Sequence, residues 1–286
     1  MMNFEGNFDG MDPGLEQLEK AVAETLQTAS LDPAAGMLFT ERQRDAARRA
    51  GDCLEEALSG MDPGLEQLEN PQQAVLEPEL IEAGGQPIEI WGDPYTMGEA
   101  LDDYQGDNVF GFQGNCGLVT ISNMLTMAGI ACDEDMTTAI AINTGLCEYD
   151  VYGPPEENGG TYAEQRSGLL EMFGLENEIF DAGSKAGSLE AIAAYVEEGR
   201  LVNLSVNAGY LWGDANYIDQ GQSNHSVVVT GTARDPQTGE LLGLYICDSG
   251  QGGDSDALFV STETLQDAYL NAGGAQIIVT DDSVHI

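Results

Sequence analysis

The residue pattern predicts an α+β protein. A helix carrying Cys116 packs on an antiparallel sheet carrying His225 and Asp248, behind a mostly helical N-terminal region. Three observations predict this. First, Leu118, Ile121, Leu125 and Ala128 recur at helical spacing directly after the loop Phe112-Gln113-Gly114-Asn115, so Cys116 opens a helix. Second, the β-branched run from His225 to Thr230 and the aliphatic run from Leu241 to Cys247 flank the turn residues Asp235-Pro236-Gln237-Thr238-Gly239, which reads as a hairpin. Third, 42% of the 286 residues are hydrophobic, enough for a substantial core.

Residues 1–86 differ in character from the rest. Gly10 to Glu19 (GMDPGLEQLE) recurs without change as Gly60 to Glu69. Two copies are too few for a solenoid. Asp12-Pro13 and Asp62-Pro63 read as helix starts, with Pro at the first helical position. Leu15, Leu18 and Val22 share a helix face, followed by Leu26, and a second helix is expected from about Glu41 to Leu58. That helix carries Arg42, Arg44, Arg48 and Arg49, which can pair with carboxylates one turn away or dock the region on the acidic remainder or on a partner. Residues 70–86, rich in Pro and Glu and ending near Gly84-Gly85, read as a linker.

The second unit is expected over residues 87–286. Pro87 to Trp91 alternates as a strand. After the Cys116 helix, Asp133-Glu134-Asp135 starts another that runs through Ile142, its acids suited to a helix N-terminus. Asp150 to Gly160 is a long loop of the kind that shapes a cleft. Helices follow over Tyr162 to Phe173 and Leu189 to Glu198, then a strand over Leu201 to Val206. Asn207 to Ser223 is a loop whose Tyr210, Trp212 and Tyr217 serve either as a groove wall or as core. A strand over Ala257 to Val260, a helix over Ser261 to Leu270 and a strand over Ile277 to Val279 complete the chain.

The chemistry gathers around Cys116. A cysteine at a helix N-terminus is favoured as thiolate by the positive end of the macrodipole. Gln113, three residues earlier, offers an amide beside the Cys116 N–H, and two such donors make an oxyanion hole. The nucleophile needs a base, and the chain has two histidines. His285 is penultimate, where chains fray, which leaves His225. If the hairpin folds about Gln237, facing indices sum to roughly 474, which brings His225 opposite position 249 and within reach of Asp248 as orienter.

These motifs, Gln113-Gly114-Asn115-Cys116-Gly117, Asn224-His225-Ser226-Val227-Val228-Val229 and Cys247-Asp248-Ser249-Gly250, resemble those of the double-glycine leader peptidases and their stand-alone relatives, which are papain-like cysteine peptidases. The resemblance spans roughly residues 105–280, including Gly160-Thr161-Tyr162 with its following helix. It implies a papain-like fold, with Cys116 as nucleophile, His225 as base, Asp248 as orienter and Gln113 as oxyanion donor. It also implies cleavage of peptides after small residues such as Gly-Gly, and Gly84-Gly85 is itself reminiscent of such a site. An acyltransferase or amidase using the same triad, and a binding module with a retired triad, are the other readings.

Composition narrows the partners. Fifty acidic against nine basic residues give a net charge of -41, which disfavours nucleic acid and anionic membranes and suits a cationic peptide or protein substrate. Five cysteines without regular spacing make no disulfide framework; Cys132 and Cys147 could bridge, though buried thiols are commoner. No zinc spacing occurs, and the Asp/Gly-rich stretch Asp248 to Asp256 lacks the calcium-loop pattern, so no metal or other cofactor is expected. Met1 to Gly6 has neither the basic head nor the apolar core of a Sec signal, and no apolar run is long enough to span a membrane. The expected setting is therefore the cytoplasm, or the exterior by another export route.

Overall fold

A computed structural model of the chain describes residues 77–83, 86–101, 104–250 and 257–284. The duplicated segment, the two N-terminal helices, Gly84-Gly85 and His285 lie outside the described residues. The elements in order are β1 (Glu79–Ala83), β2 (Gln86–Gly92), α1 (Pro94–Ala100), α2 (Cys116–Met127), α3 (Glu134–Thr144), α4 (Ala163–Met172), β3 (Asn177–Asp181), α5 (Leu189–Glu197), β4 (Val202–Val206), α6 (Ala208–Trp212), β5 (His225–Arg234), β6 (Leu241–Cys247), β7 (Leu258–Ser261), α7 (Thr262–Leu265) and β8 (Gln276–Thr280). The protein is α+β, with several helices on an antiparallel sheet.

The sheet runs β1-β2-β5-β4-β8-β3, with β6 on the other side of β5 and β7 beyond it. Every pairing is antiparallel. β5 is the hub. Its first half pairs with β4 and its second half with β2, while β6 runs along its opposite edge. A strand hydrogen-bonded on both edges and covered on both faces reads as continuous β-branched residues, as Val227, Val228 and Val229 do here.

α2 is buried on nearly every side: of its residues only Cys116 and Thr126 escape full burial. Leu118, Ile121, Met124 and Leu125 join Val228, Cys247 and Ile278 of the sheet in one core. On the other sheet face, Ile192 and Val196 of α5 pack with Val202, Leu204, Val229 and Ile277, and with Tyr269 of the single π-turn that follows α7. Burying a Leu or Ile side chain contributes about 1.5–3 kcal/mol, so these two layers fix α2 and β5 against each other.

Four elements depart from the sequence reading, the first being α6, a short helix inside the 207–223 stretch expected as loop, capped by Asn207. β1 lies within the stretch expected as linker and pairs with β2 from Glu79↔Ile90 to Ala83↔Gln86. Its alternation Leu80-Ile81-Glu82 is weak, so only pairing makes it a strand. α1 follows Gly92-Asp93, where Asp93 accepts from Thr96 N–H at 3.1 Å and Pro94 takes the first turn. β3 is a mixed-polarity edge strand on β8. Cys132 and Cys147 are free thiols, both buried.

Candidate active site

α2 begins without a side-chain cap. Asn115, at its N-cap, points elsewhere: its Oδ1 accepts from Gly106 N–H at 3.1 Å, and its amide donates to the buried Glu134. Asn115 O instead takes Leu118 N–H and Val119 N–H at 2.9 and 3.1 Å. The Cys116 N–H has no acceptor among the described residues. It therefore points, with the helix dipole, at whatever reaches the sulfur. Cys116 itself is half-buried, neither sealed nor freely exposed.

His225 opens β5 and lies buried opposite Val206 in the ladder. Its Nε2 lies 2.7 Å from Asp248 Oδ1. The other ring nitrogen, Nδ1, is left free by Asp248, and the imidazole is coupled electrostatically to the Cys116 sulfur. The structure thus brings Cys116, His225 and Asp248 into one chain of contacts. The hairpin is offset slightly from the expected register: Val228 faces Cys247, and a bulge between Val229 and Gly231 shifts the pairing further on. Asp248 still reaches the ring because it follows β6 immediately.

The Asp248 carboxylate is fully buried and saturated with donors. Besides the imidazole, Oδ1 accepts from Gly250 N–H at 2.9 Å, and Oδ2 accepts from the Trp212 indole N–H at 2.6 Å. The Trp212 ring meets His225 edge-on at 5.1 Å between centroids and Tyr217 at 5.0 Å. Trp212 is therefore neither plain groove wall nor plain core: it fixes the orienting carboxylate and covers the imidazole. Gly250 makes the approach possible, since a Cβ there would sit 2.7 Å from Trp212 Cζ2 and 3.0 Å from His225 Cε1. The segment carrying Trp212 is tied down by Asn207, which caps α6 through Tyr210 N–H at 3.0 Å and donates to Ile218 O and Gln222 O. Tyr210 and Tyr217 remain exposed.

Charge follows geometry. Burial pushes the Cys116 thiol up, but the hydrogen bond and charge of His225, the Arg166 charge and the Ser226 N–H together hold it below its ordinary value. Burial pulls the His225 imidazolium down, but Asp248 and the Cys116 sulfur outweigh it and raise it to about 10. Burial would raise the Asp248 carboxyl, yet His225, Trp212 and Gly250 hold it below the usual carboxylate range. These shifts all favour a thiolate–imidazolium pair backed by a carboxylate.

Gln113 sits on the loop before α2. Its side-chain amide donates to Gly106 O at 3.3 Å, engaging one of its two N–H bonds, and its carbonyl accepts from the Gln105 amide at 2.5 Å. Gln105 N–H in turn reaches Ser249 O at 3.1 Å. A short strap, residues 104–108, thereby joins the loop bearing the sulfur to the loop bearing Asp248. Nothing in the sequence signalled that strap. The 150–160 loop closes on itself through Glu148 N–H to Gly160 O and Gly159 N–H to Glu148 O, at 2.8 and 2.9 Å. It presents Tyr152 almost fully to solvent.

Among the described residues, no group of three or more His, Cys, Asp or Glu side chains could hold a metal ion, and no helix is long and apolar enough to cross a membrane. Comparison with protein-family models, with curated proteins and with solved structures yields no match.

Proposed function

We propose that the chain is a cysteine peptidase of papain-like build. One observation carries the reading: a half-buried cysteine at an uncapped helix N-terminus, coupled electrostatically to an imidazole that lies 2.7 Å from a buried carboxylate. Each group has a distinct role in acyl transfer. The thiolate of Cys116 attacks the scissile carbonyl carbon. The oxygen that becomes negative is held by the Cys116 N–H, with the Gln113 amide as second donor. The His225 imidazolium gives its proton to the departing amine as the C–N bond breaks, leaving a thioester on Cys116. Neutral His225 then takes a proton from water, whose oxygen displaces the sulfur and releases the acid. Asp248, held by Trp212 and Gly250, keeps the ring oriented and stabilises its charged form.

The proposed substrate is a peptide or protein, with a cationic sequence favoured by the net charge of -41 and cleavage after small residues such as Gly-Gly implied by the family resemblance. The test is hydrolysis of cationic peptides containing Gly-Gly, followed by mass spectrometry, with wild type and Cys116→Ala compared. Wild-type cleavage that disappears in Cys116→Ala is expected; equal turnover by the two proteins refutes the assignment. Offering amines to the trapped acyl-enzyme separates hydrolysis from transfer.

A further inference from the structure

Arg166 stands out as a buried cation in direct contact with no carboxylate among the described residues. It lies on α4, is 5% exposed, and makes no ion pair among the described residues, in a chain with 50 acidic residues. All its bonds go to neutral oxygens. Nε donates to Asn203 Oδ1 at 3.0 Å, Nη2 to Ser205 Oγ at 2.6 Å, and Nη1 to Thr161 O and Thr161 Oγ1 at 3.1 and 3.3 Å. Burying a guanidinium on neutral partners alone is costly, because the charge loses its hydration and gains no counter-charge.

The surroundings supply the missing anion. The Arg166 stem crosses the first turn of α2: a Cβ on Gly117 would lie 3.0 Å from Arg166 Cδ and 2.0 Å from Thr161 Oγ1. Gly117 thus leaves room for the arginine and its threonine beside the nucleophile. The acceptors Asn203 and Ser205 lie on β4, where Ser205 faces Ser226 and Val206 faces His225. The Asn203 amide also donates to Ser226 Oγ at 2.7 Å, and the Ser226 backbone N–H favours the charged form of the Cys116 sulfur. One strand pair therefore holds the guanidinium, the imidazole and a donor to the sulfur.

We propose that Arg166 is a positioning residue for the nucleophile, a fixed buried cation whose counter-charge is the Cys116 thiolate; the inference rests on Cys116 being the nucleophile. Two electrostatic effects agree with it. Burial pulls the guanidinium down; the Cys116 charge, ahead of the Glu164 carboxylate on the same helix, opposes that fall, while Arg166 is among the groups that lower the thiol. The imidazolium then need not stabilise the thiolate alone, and sulfur reactivity extends to lower pH.

The test is carboxymethylation of Cys116 by iodoacetamide, read by mass spectrometry of its peptide, on the full chain from about pH 4 to 10. Arg166→Met is expected to move the acid limb of the rate profile up by about one unit, so that Cys116 reacts about tenfold more slowly on that limb. Arg166→Lys, which keeps the charge, is expected to return the limb to within about threefold of wild type. A folded Arg166→Met with the wild-type limb, or an Arg166→Lys that behaves like Met, overturns the inference and leaves the peptidase reading intact. Should Arg166→Met fail to fold, Arg166→Gln, which keeps hydrogen-bond donors and drops the charge, is read against Arg166→Lys with the same outcomes. A wild-type Cys116 that itself titrates at the ordinary value overturns both readings.

Discussion

Replacing Asp248 with Asn tests the triad most sharply, because it removes one charge and keeps the shape. At 2.7 Å from His225 Nε2, with an effective dielectric of about 20, the lost attraction is about 6 kcal/mol. The amide keeps a neutral hydrogen bond worth about 1 kcal/mol, so the imidazolium loses up to about 5 kcal/mol of support; Asp248 and the Cys116 sulfur together raise His225 to about 10 against the pull of burial. Geometry adds a second penalty. In the native site Oδ1 faces the imidazole and Gly250 N–H, and Oδ2 faces the Trp212 N–H. An asparagine has one oxygen, so its NH2 must oppose one of these donors. The assay is Cys116 alkylation as a function of pH, alongside thermal unfolding. In the wild type, the ion pair persists from the lowered thiol pKa up to about 10, where His225 loses its proton. The raised imidazolium contributes stability that is complete below the unfolded histidine value of about 6.5 and is lost as pH rises through the folded one. In Asp248→Asn the plateau should collapse to one limb raised above the wild-type thiol limb but still below the ordinary cysteine value of about 8.5, because Arg166 remains, with a rate at neutral pH reduced about tenfold or more. A folded Asp248→Asn that keeps the plateau, with a neutral-pH rate within about threefold of wild type, refutes the coupling of carboxylate to sulfur.

Two further outcomes follow from the same contacts. Trp212→Phe removes a charge-assisted bond to a buried carboxylate, which costs about 1.5–3 kcal/mol and should lower the melting temperature by about 3–12 °C in calorimetry. Combined with Asp248→Asn it should be less than additive, because the unmatched donor is then gone. Gly117→Ala forces a methyl to 2.0 Å from Thr161 Oγ1 and should destabilise by about 1–3 kcal/mol in urea unfolding, with Thr161→Ser unable to relieve it since the oxygen remains.

The parts of the site legible in the sequence are those whose signal is local. Cys116 announced its helix because loop glycines meet an apolar run, and α2 starts there. His225 and Asp248 are legible because a hairpin carries its own arithmetic, although Val228 pairs with Cys247, one residue off the expected register, because the turn centres just beyond Gln237. The helices over Ala163–Met172 and Leu189–Glu197 fell within a residue or so of expectation, each amphipathic or capped in its own sequence. What escaped depends on tertiary partners. An arginine inside a helix reads as solvent-facing, and only Asn203 and Ser205, brought alongside by β4, reveal Arg166 as buried. Trp212 was open between groove wall and core because its indole N–H finds Asp248 across 36 residues of chain. β3 and β1 are edge strands whose mixed polarity carries no period of two strong enough to declare them.

The helix bearing the sulfur is walled in along its length, whereas the Trp212 segment hangs from a few polar ties and includes Asp219 and Gln220 in left-handed backbone. On the proposed function, a substrate arriving at the cysteine would meet a packed helix on one side and, on the other, a rim that presents the exposed Tyr210 and Tyr217, so inherited changes that alter substrate choice should accumulate in that rim and spare the helix.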